Sequence, residues 1–154
     1  MARAIRVTTT SILCILASGI LAAAEPAGVE IRVKLLDAHS GKPYVGRDVE
    51  VFGTNSKSGL PGKDILFHVQ TRTKSDGVAH FFIRPPLPYR LLLAAAQNGG
   101  CAVWGAPEMI TKKILEFGIV GPNTCAKKHQ KFRWRDVKAE PGEIVIFAVE
   151  PRGP

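Results

Sequence analysis

Between residues 29 and 35 apolar and charged positions alternate strictly, in the run Val29-Glu30-Ile31-Arg32-Val33-Lys34-Leu35. Successive side chains of a strand point to opposite faces, so this run predicts a half-buried antiparallel strand with Val29, Ile31, Val33 and Leu35 on one side. The turn formers Asp37-Ala38-His39-Ser40-Gly41-Lys42-Pro43 follow, and alternation resumes over Arg47-Asp48-Val49-Glu50-Val51-Phe52 as a second strand. Residues 53–63 hold Asn55, Ser56, Ser58, Gly59, Pro61 and Gly62, a composition that predicts an exposed loop. Residues 66–73 and 78–83 are β-rich runs separated by Lys74-Ser75-Asp76-Gly77. Asp-Gly supplies the positive φ of a tight turn, so these two runs predict a β-hairpin.

Pro85, Pro86 and Pro88 stop the second arm of that hairpin, and residues 89–95 (Tyr-Arg-Leu-Leu-Leu-Ala-Ala) predict the next strand. Residues 97–107 are irregular. In residues 112–120 Leu115, Phe117 and Ile119 recur at every second position, which predicts a sixth strand. A basic loop follows Gly121-Pro122-Asn123. After Pro141-Gly142, residues 143–149 are apolar on both faces, as in a strand covered on both sides. Seven short strands between Gly, Pro and Asn turns, with no amphipathic helix, predict an all-β chain folded as an immunoglobulin-like sandwich of two sheets. No internal repeat and no second domain is visible.

The N-terminus has a different pattern. Arg3 and Arg6 precede an apolar run at residues 12–21, and Ala22-Ala23-Ala24 offers small residues before Glu25-Pro26. That layout predicts a secretory signal peptide over residues 1–24, leaving residues 25–154 as one domain. A membrane anchor is the competing reading, but the run is about half the ~20 residues that span a bilayer. Cys14 follows Leu13 rather than a small residue, which argues against a lipid anchor. The export reading leaves two cysteines, Cys101 and Cys125, which are expected to form a disulfide in an oxidising compartment; two buried thiols are the alternative. Closing that loop would restrict the unfolded chain by about 3 kcal/mol.

Charge narrows the partners without naming one. The 154 residues carry 21 Lys plus Arg against 13 Asp plus Glu, and losing Arg3 and Arg6 with the leader leaves an excess of six cations. Such a field favours anionic surfaces outside the membrane, such as acidic polysaccharides or lipid head groups, and does not by itself specify nucleic acid. Ordinary solubility is the plainer account. The membrane is expected to matter for export only.

Ser40-Gly41-Lys42-Pro43 leading into a strand, then Thr73-Lys74-Ser75-Asp76-Gly77-Val78-Ala79-His80-Phe81, then Pro88-Tyr89-Arg90-Leu91 form a recognisable succession. It resembles the carboxypeptidase regulatory-like domains, a prealbumin-like (transthyretin-like) group of seven-stranded sandwiches. The resemblance covers residues 29–95, whereas residues 100–134 depart from it through the two cysteines and the basic loop. It implies a non-catalytic accessory or binding module of the envelope or secretome, with an envelope or secreted protein as partner, no cofactor and no transferable site residue.

The chemical candidates agree with that expectation. His39, His68, His80 and His129 lack metal-ligand spacing, although His68 and His80 on the arms of the expected hairpin could approach each other. No nucleophile elbow, zincin helix or tightly placed acid pair is present, so no enzyme activity is expected. The one stretch that invites a ligand is Lys127-Lys128-His129-Gln130-Lys131-Phe132-Arg133-Trp134-Arg135. If extended, it projects Phe132 and Trp134 to one side and Arg133 and Arg135 to the other. Lys131, Phe132, Arg133, Trp134 and Arg135 are therefore the candidate contacts to a carbohydrate or an anionic envelope polymer. The alternative is that the two aromatics anchor the loop to the core while the cations are solvated.

Overall fold

A computed structural model describes residues 28–57, 64–95, 109–127 and 130–149. Strict alternation carries most of them into strands: β1 (Val29–Asp37), β2 (Asp48–Thr54), β3 (Ile65–Arg72), β4 (Val78–Ile83), β5 (Arg90–Ala95), β6 (Ile119–Val120) and β7 (Glu143–Ala148). One short helix, α1 (Thr111–Phe117), precedes β6, and a 3-10 turn covers Trp134–Asp136. The signal peptide and Cys14 lie outside the described residues, as do Cys101, Lys128 and His129.

The strands form two sheets, with order β4-β1-β7-β6 in the first and β3-β2-β5 in the second. A common core joins them. Ile31, Val33 and Leu35 of β1, Ala79, Phe81 and Ile83 of β4, and Ile144 and Ile146 of β7 meet Val49, Val51, Leu91 and Leu93 of the second sheet. These are the inward rows that the alternation predicts. Each such side chain taken fully out of water contributes about 1.5–3 kcal/mol against the entropy of ordering the chain.

β1 is the pivot of the first sheet and has two kinds of neighbour. It pairs antiparallel with β4, Ile31 opposite Phe81, and parallel with β7, Val33 opposite Ile144. The purely antiparallel reading of β1 is thereby corrected. A second cluster lies on the other face of this sheet, where Leu36, Ala38, Val145 and Phe147 are buried under residues that include Phe132, Trp134, Val137 and Ala139. That cover is why β7 is buried along its whole length.

Two further sequence expectations fail. The runs at residues 66–73 and 78–83 are strands, but β3 pairs with β2 and β4 with β1, so they do not form a hairpin. The tight turn itself exists: Lys74 N donates to Val78 O at 2.9 Å, Gly77 N to Lys74 O at 3.0 Å, and Gly77 has φ of 75°. The preceding residue explains the divergence. Thr73 is buried, its hydroxyl donates to Tyr44 O at 2.7 Å and accepts from Arg47 N at 2.9 Å, and its amide donates to Arg47 O. The 44–47 segment thus holds the end of β3 in the second sheet, while Gly77 O accepts from Leu35 N of β1 and starts β4 in the first.

The second failure is the sixth strand. Residues 111–117 are helical, Phe117 is 70% exposed, and the positions facing the core are Thr111, Ile114 and Leu115, spaced three and four apart. Lys112 and Glu116 meet at 3.7 Å across one turn, and Gly118, at φ 70°, ends the helix with its amide on Ile114 O. Only Ile119 and Val120 are strand, pairing parallel to β7.

Candidate functional site

The cover over β7 is also the basic stretch singled out by the sequence. It leaves the first sheet at Gly121, whose amide donates to Val145 O at 2.8 Å, and returns through Glu140, whose amide donates to Glu143 Oε2 at 3.0 Å. Between these ends Asn123 Nδ2 donates to Ala38 O at 2.7 Å, and Gln130 bridges Lys127 N at 2.9 Å and Phe132 O at 3.0 Å. The loop is therefore tied to the sheet at several points.

Its side chains sort by face. Phe132 and Trp134 are half-buried and both lie against Phe147, with ring centroids 6.1 Å apart in each pair and interplanar angles of 55° and 70°. Lys131, Arg133 and Arg135 are exposed, and the Arg135 guanidinium sits 5.6 Å from the centroid of the Trp134 ring. The alternation predicted for residues 132–135 thus holds in direction, although Trp134–Asp136 is a 3-10 turn rather than extended chain. With their rings on Phe147, the aromatics anchor the loop, and its exposed side is the row of cations.

Two members of this surface are missed by the sequence reading. Lys138 continues the row, because Val137 and Ala139 on either side of it pack inward like Phe132 and Trp134. The other is Lys42, exposed in a turn that abuts the loop, where a Cβ built on Gly41 would run into the Phe132 ring. Continuing alternation was a signal for Lys138, while no local pattern marks Lys42. The Lys42 turn is organised by Asp37, whose Oδ1 accepts from Ser40 Oγ at 2.6 Å, Ser40 N at 2.7 Å and His39 N at 3.2 Å. Partial burial pushes the Asp37 carboxyl up, but these hydrogen bonds, aided by His39, outweigh burial and hold it below the ordinary carboxylate value.

Among the described residues Lys127, Lys131, Arg133 and Lys138 form no ion pair, and Asp136 is the one acid between residues 127 and 138. Four acids elsewhere have a basic side chain beside them: Glu30 with His80 at 2.9 Å, Glu50 with His68 at 3.4 Å, Asp48 with Arg72 at 2.9 Å and Glu140 with Arg32 at 3.2 Å. His68 also stacks on Phe52, centroids 4.2 Å apart. His68 and His80 therefore belong to different sheets and different carboxylates, and the expectation that they could converge is corrected. His39 sits in the Asp37 turn. Cys125 is half-buried against the cluster under the loop, while its expected partner Cys101 lies outside the described residues.

No protein-family model matches the chain, and no curated protein matches it. Among solved structures it is similar to a crystal structure of a dioxygenase, at 17% sequence identity and a TM-score of 0.36. The alignment covers 76% of this chain and 65% of that one.

Proposed function

We propose that the chain is an exported, non-catalytic binding module that engages an acidic polysaccharide through the cationic row Lys127, Lys131, Arg133, Arg135 and Lys138. One observation carries the reading: among the described residues, cations lacking ion-pair partners are concentrated on a loop that hydrogen bonds and two buried-side aromatics hold in place. Fixed like charges repel one another, and a polyanion that meets them relieves that cost while releasing its own counterions. Recognition is then electrostatic, through carboxylate or sulfate groups, with the sugar rings stacking on neither Phe132 nor Trp134.

The wider frame is a proposal too. We place the chain among prealbumin-like sandwiches of the carboxypeptidase regulatory-like kind, on the motifs between residues 40 and 91 and on two sheets sharing one core. Export follows from the N-terminal pattern, with cleavage after Ala24, and the Cys101–Cys125 disulfide follows from export. N-terminal sequencing of protein recovered from the extracytoplasmic fraction should begin at Glu25, and alkylation before and after reduction should reveal one protected cysteine pair.

The direct test is binding of residues 25–154 to immobilised polygalacturonate, with neutral dextran as the control polymer. Binding should weaken steeply between low and physiological salt and fall by about tenfold or more when Lys131, Arg133 and Arg135 are all changed to Gln. Salt-independent binding, equal binding to dextran or an unaffected triple variant would each overturn the assignment.

A further inference from the structure

The cationic loop covers only part of the outer surface of the first sheet. On that surface β1 presents Glu30, Arg32 and Lys34 and β4 presents Val78, His80 and Phe82, because the residues between them, such as Ile31, Val33, Ala79 and Phe81, point into the core. The register sets Glu30 opposite Phe82, Arg32 opposite His80 and Lys34 opposite Val78. On the other side of β1, β7 turns Val145 and Phe147 to the same surface, and there the loop packs over them. The β1–β4 half is thus a strip two strands wide that runs about 13 Å from Lys34 to Glu30. It begins where the cover ends: Lys34 is in register with Val145, a member of the cluster that Val137 and Ala139 pack against. Beside it, Arg32 Nη2 donates to Glu140 Oε2 at 3.2 Å and to Pro141 O at 3.1 Å, so the returning end of the loop runs along the strip just after Lys138. At the far end Phe82 is 66% exposed. A ring left in water adds nothing to the core.

We infer that this strip extends the polyanion site and that Phe82 stacks on a sugar ring, so that the loop draws the polymer by charge and the strip distinguishes a polysaccharide from other polyanions. The inference rests on the loop being the polyanion site. Continuity and charge select the occupant. The strip adjoins the loop at its returning end, and among the described residues Lys34 forms no ion pair, so it adds a cation to those of the loop. The nearby acids do not oppose this: Glu30 lies against His80 Nδ1 at 2.9 Å, Glu140 against Arg32, and Glu143 is buried with Oε2 accepting from Glu140 N. Beyond Lys34 a ligand meets the Phe82 ring. A pyranose offers a face of C–H groups that packs on the electron-rich face of an aromatic ring, while carboxylates of the units nearer the loop meet Lys34. A polyanion without sugar rings carries the charges and lacks that face.

Binding of residues 25–154 to immobilised polygalacturonate and to immobilised polyglutamate, each over a salt series, tests the inference. Polyglutamate has carboxylates and no sugar ring. Phe82→Leu, at an exposed position that leaves the core intact, should bind polygalacturonate about fivefold more weakly than wild type with an unchanged salt slope, and should bind polyglutamate as wild type does. Lys34→Gln should weaken binding to both polymers and lower the slope of log affinity against log salt by about one. Circular dichroism and urea midpoints confirm that each variant is folded. Phe82→Leu that holds polygalacturonate like wild type, or loses both polymers equally, overturns the stacking role, and Lys34→Gln with an unaltered slope overturns the extension onto the sheet. Either result beside a weakened Lys131, Arg133 and Arg135 triple variant leaves the loop assignment standing. A triple variant that binds like wild type overturns that assignment and this inference with it.

Discussion

Phe147 and Phe82 lie two strands apart in the same sheet, and their environments predict opposite responses to one substitution. Phe147 is buried beneath Phe132 and Trp134, whereas Phe82 on the outer face of β4 is 66% exposed. Replacing Phe147 by Leu nearly conserves volume, which alone costs under about 1.5 kcal/mol, but it also removes two aromatic contacts of about 0.5–1.5 kcal/mol each. The expected loss is about 2 kcal/mol. With a urea m-value of about 1–3 kcal/mol/M for a domain of this size, the midpoint should fall by about 1 M. Phe82→Leu should shift stability by less than about 0.5 kcal/mol. Urea titration followed by tryptophan fluorescence reads both, and Trp134 reports directly on the cover over β7. Equal losses in the two variants would refute the reasoning, because they would mean that residues 131–139 do not bury that face.

Two further expectations concern the turn beside the loop. Gly41 sits at φ 71° against Phe132, so Gly41→Ala meets both backbone strain and the ring, should cost about 1–3 kcal/mol by urea unfolding, and should weaken polygalacturonate binding by displacing the loop. The Asp37 carboxyl is held below its ordinary value in the folded chain, so its contribution is fully present above the unfolded-state value near 4 and is lost as pH falls through the lower folded value. Unfolding measured between pH 7 and pH 2 should therefore show a shallower acid decline in Asp37→Ala than in wild type, and parallel curves would contradict this.

Local alternation proved legible wherever one face of a strand is buried. β4 spans the residues expected of it, β1, β2, β3, β5 and β7 agree to within two residues at each end, and the double-sided burial of β7 follows from its unbroken apolar run. Pairing was less legible, because it depends on residues far away. The Lys74–Gly77 turn is the same local object whether its arms pair or part, and the grip of Tyr44 and Arg47 on Thr73 decides between them. In α1 the buried positions include Thr111, which no apolar pattern marks, while Leu115, Phe117 and Ile119 mimic a strand by chance. In the loop the division into half-buried Phe132 and Trp134 and exposed Lys131, Arg133 and Arg135 follows the alternation, although Trp134–Asp136 is a 3-10 turn. The loop's approach to the Lys42 turn depends on the absence of a Cβ at Gly41, a steric condition that becomes visible once Phe132 has been placed.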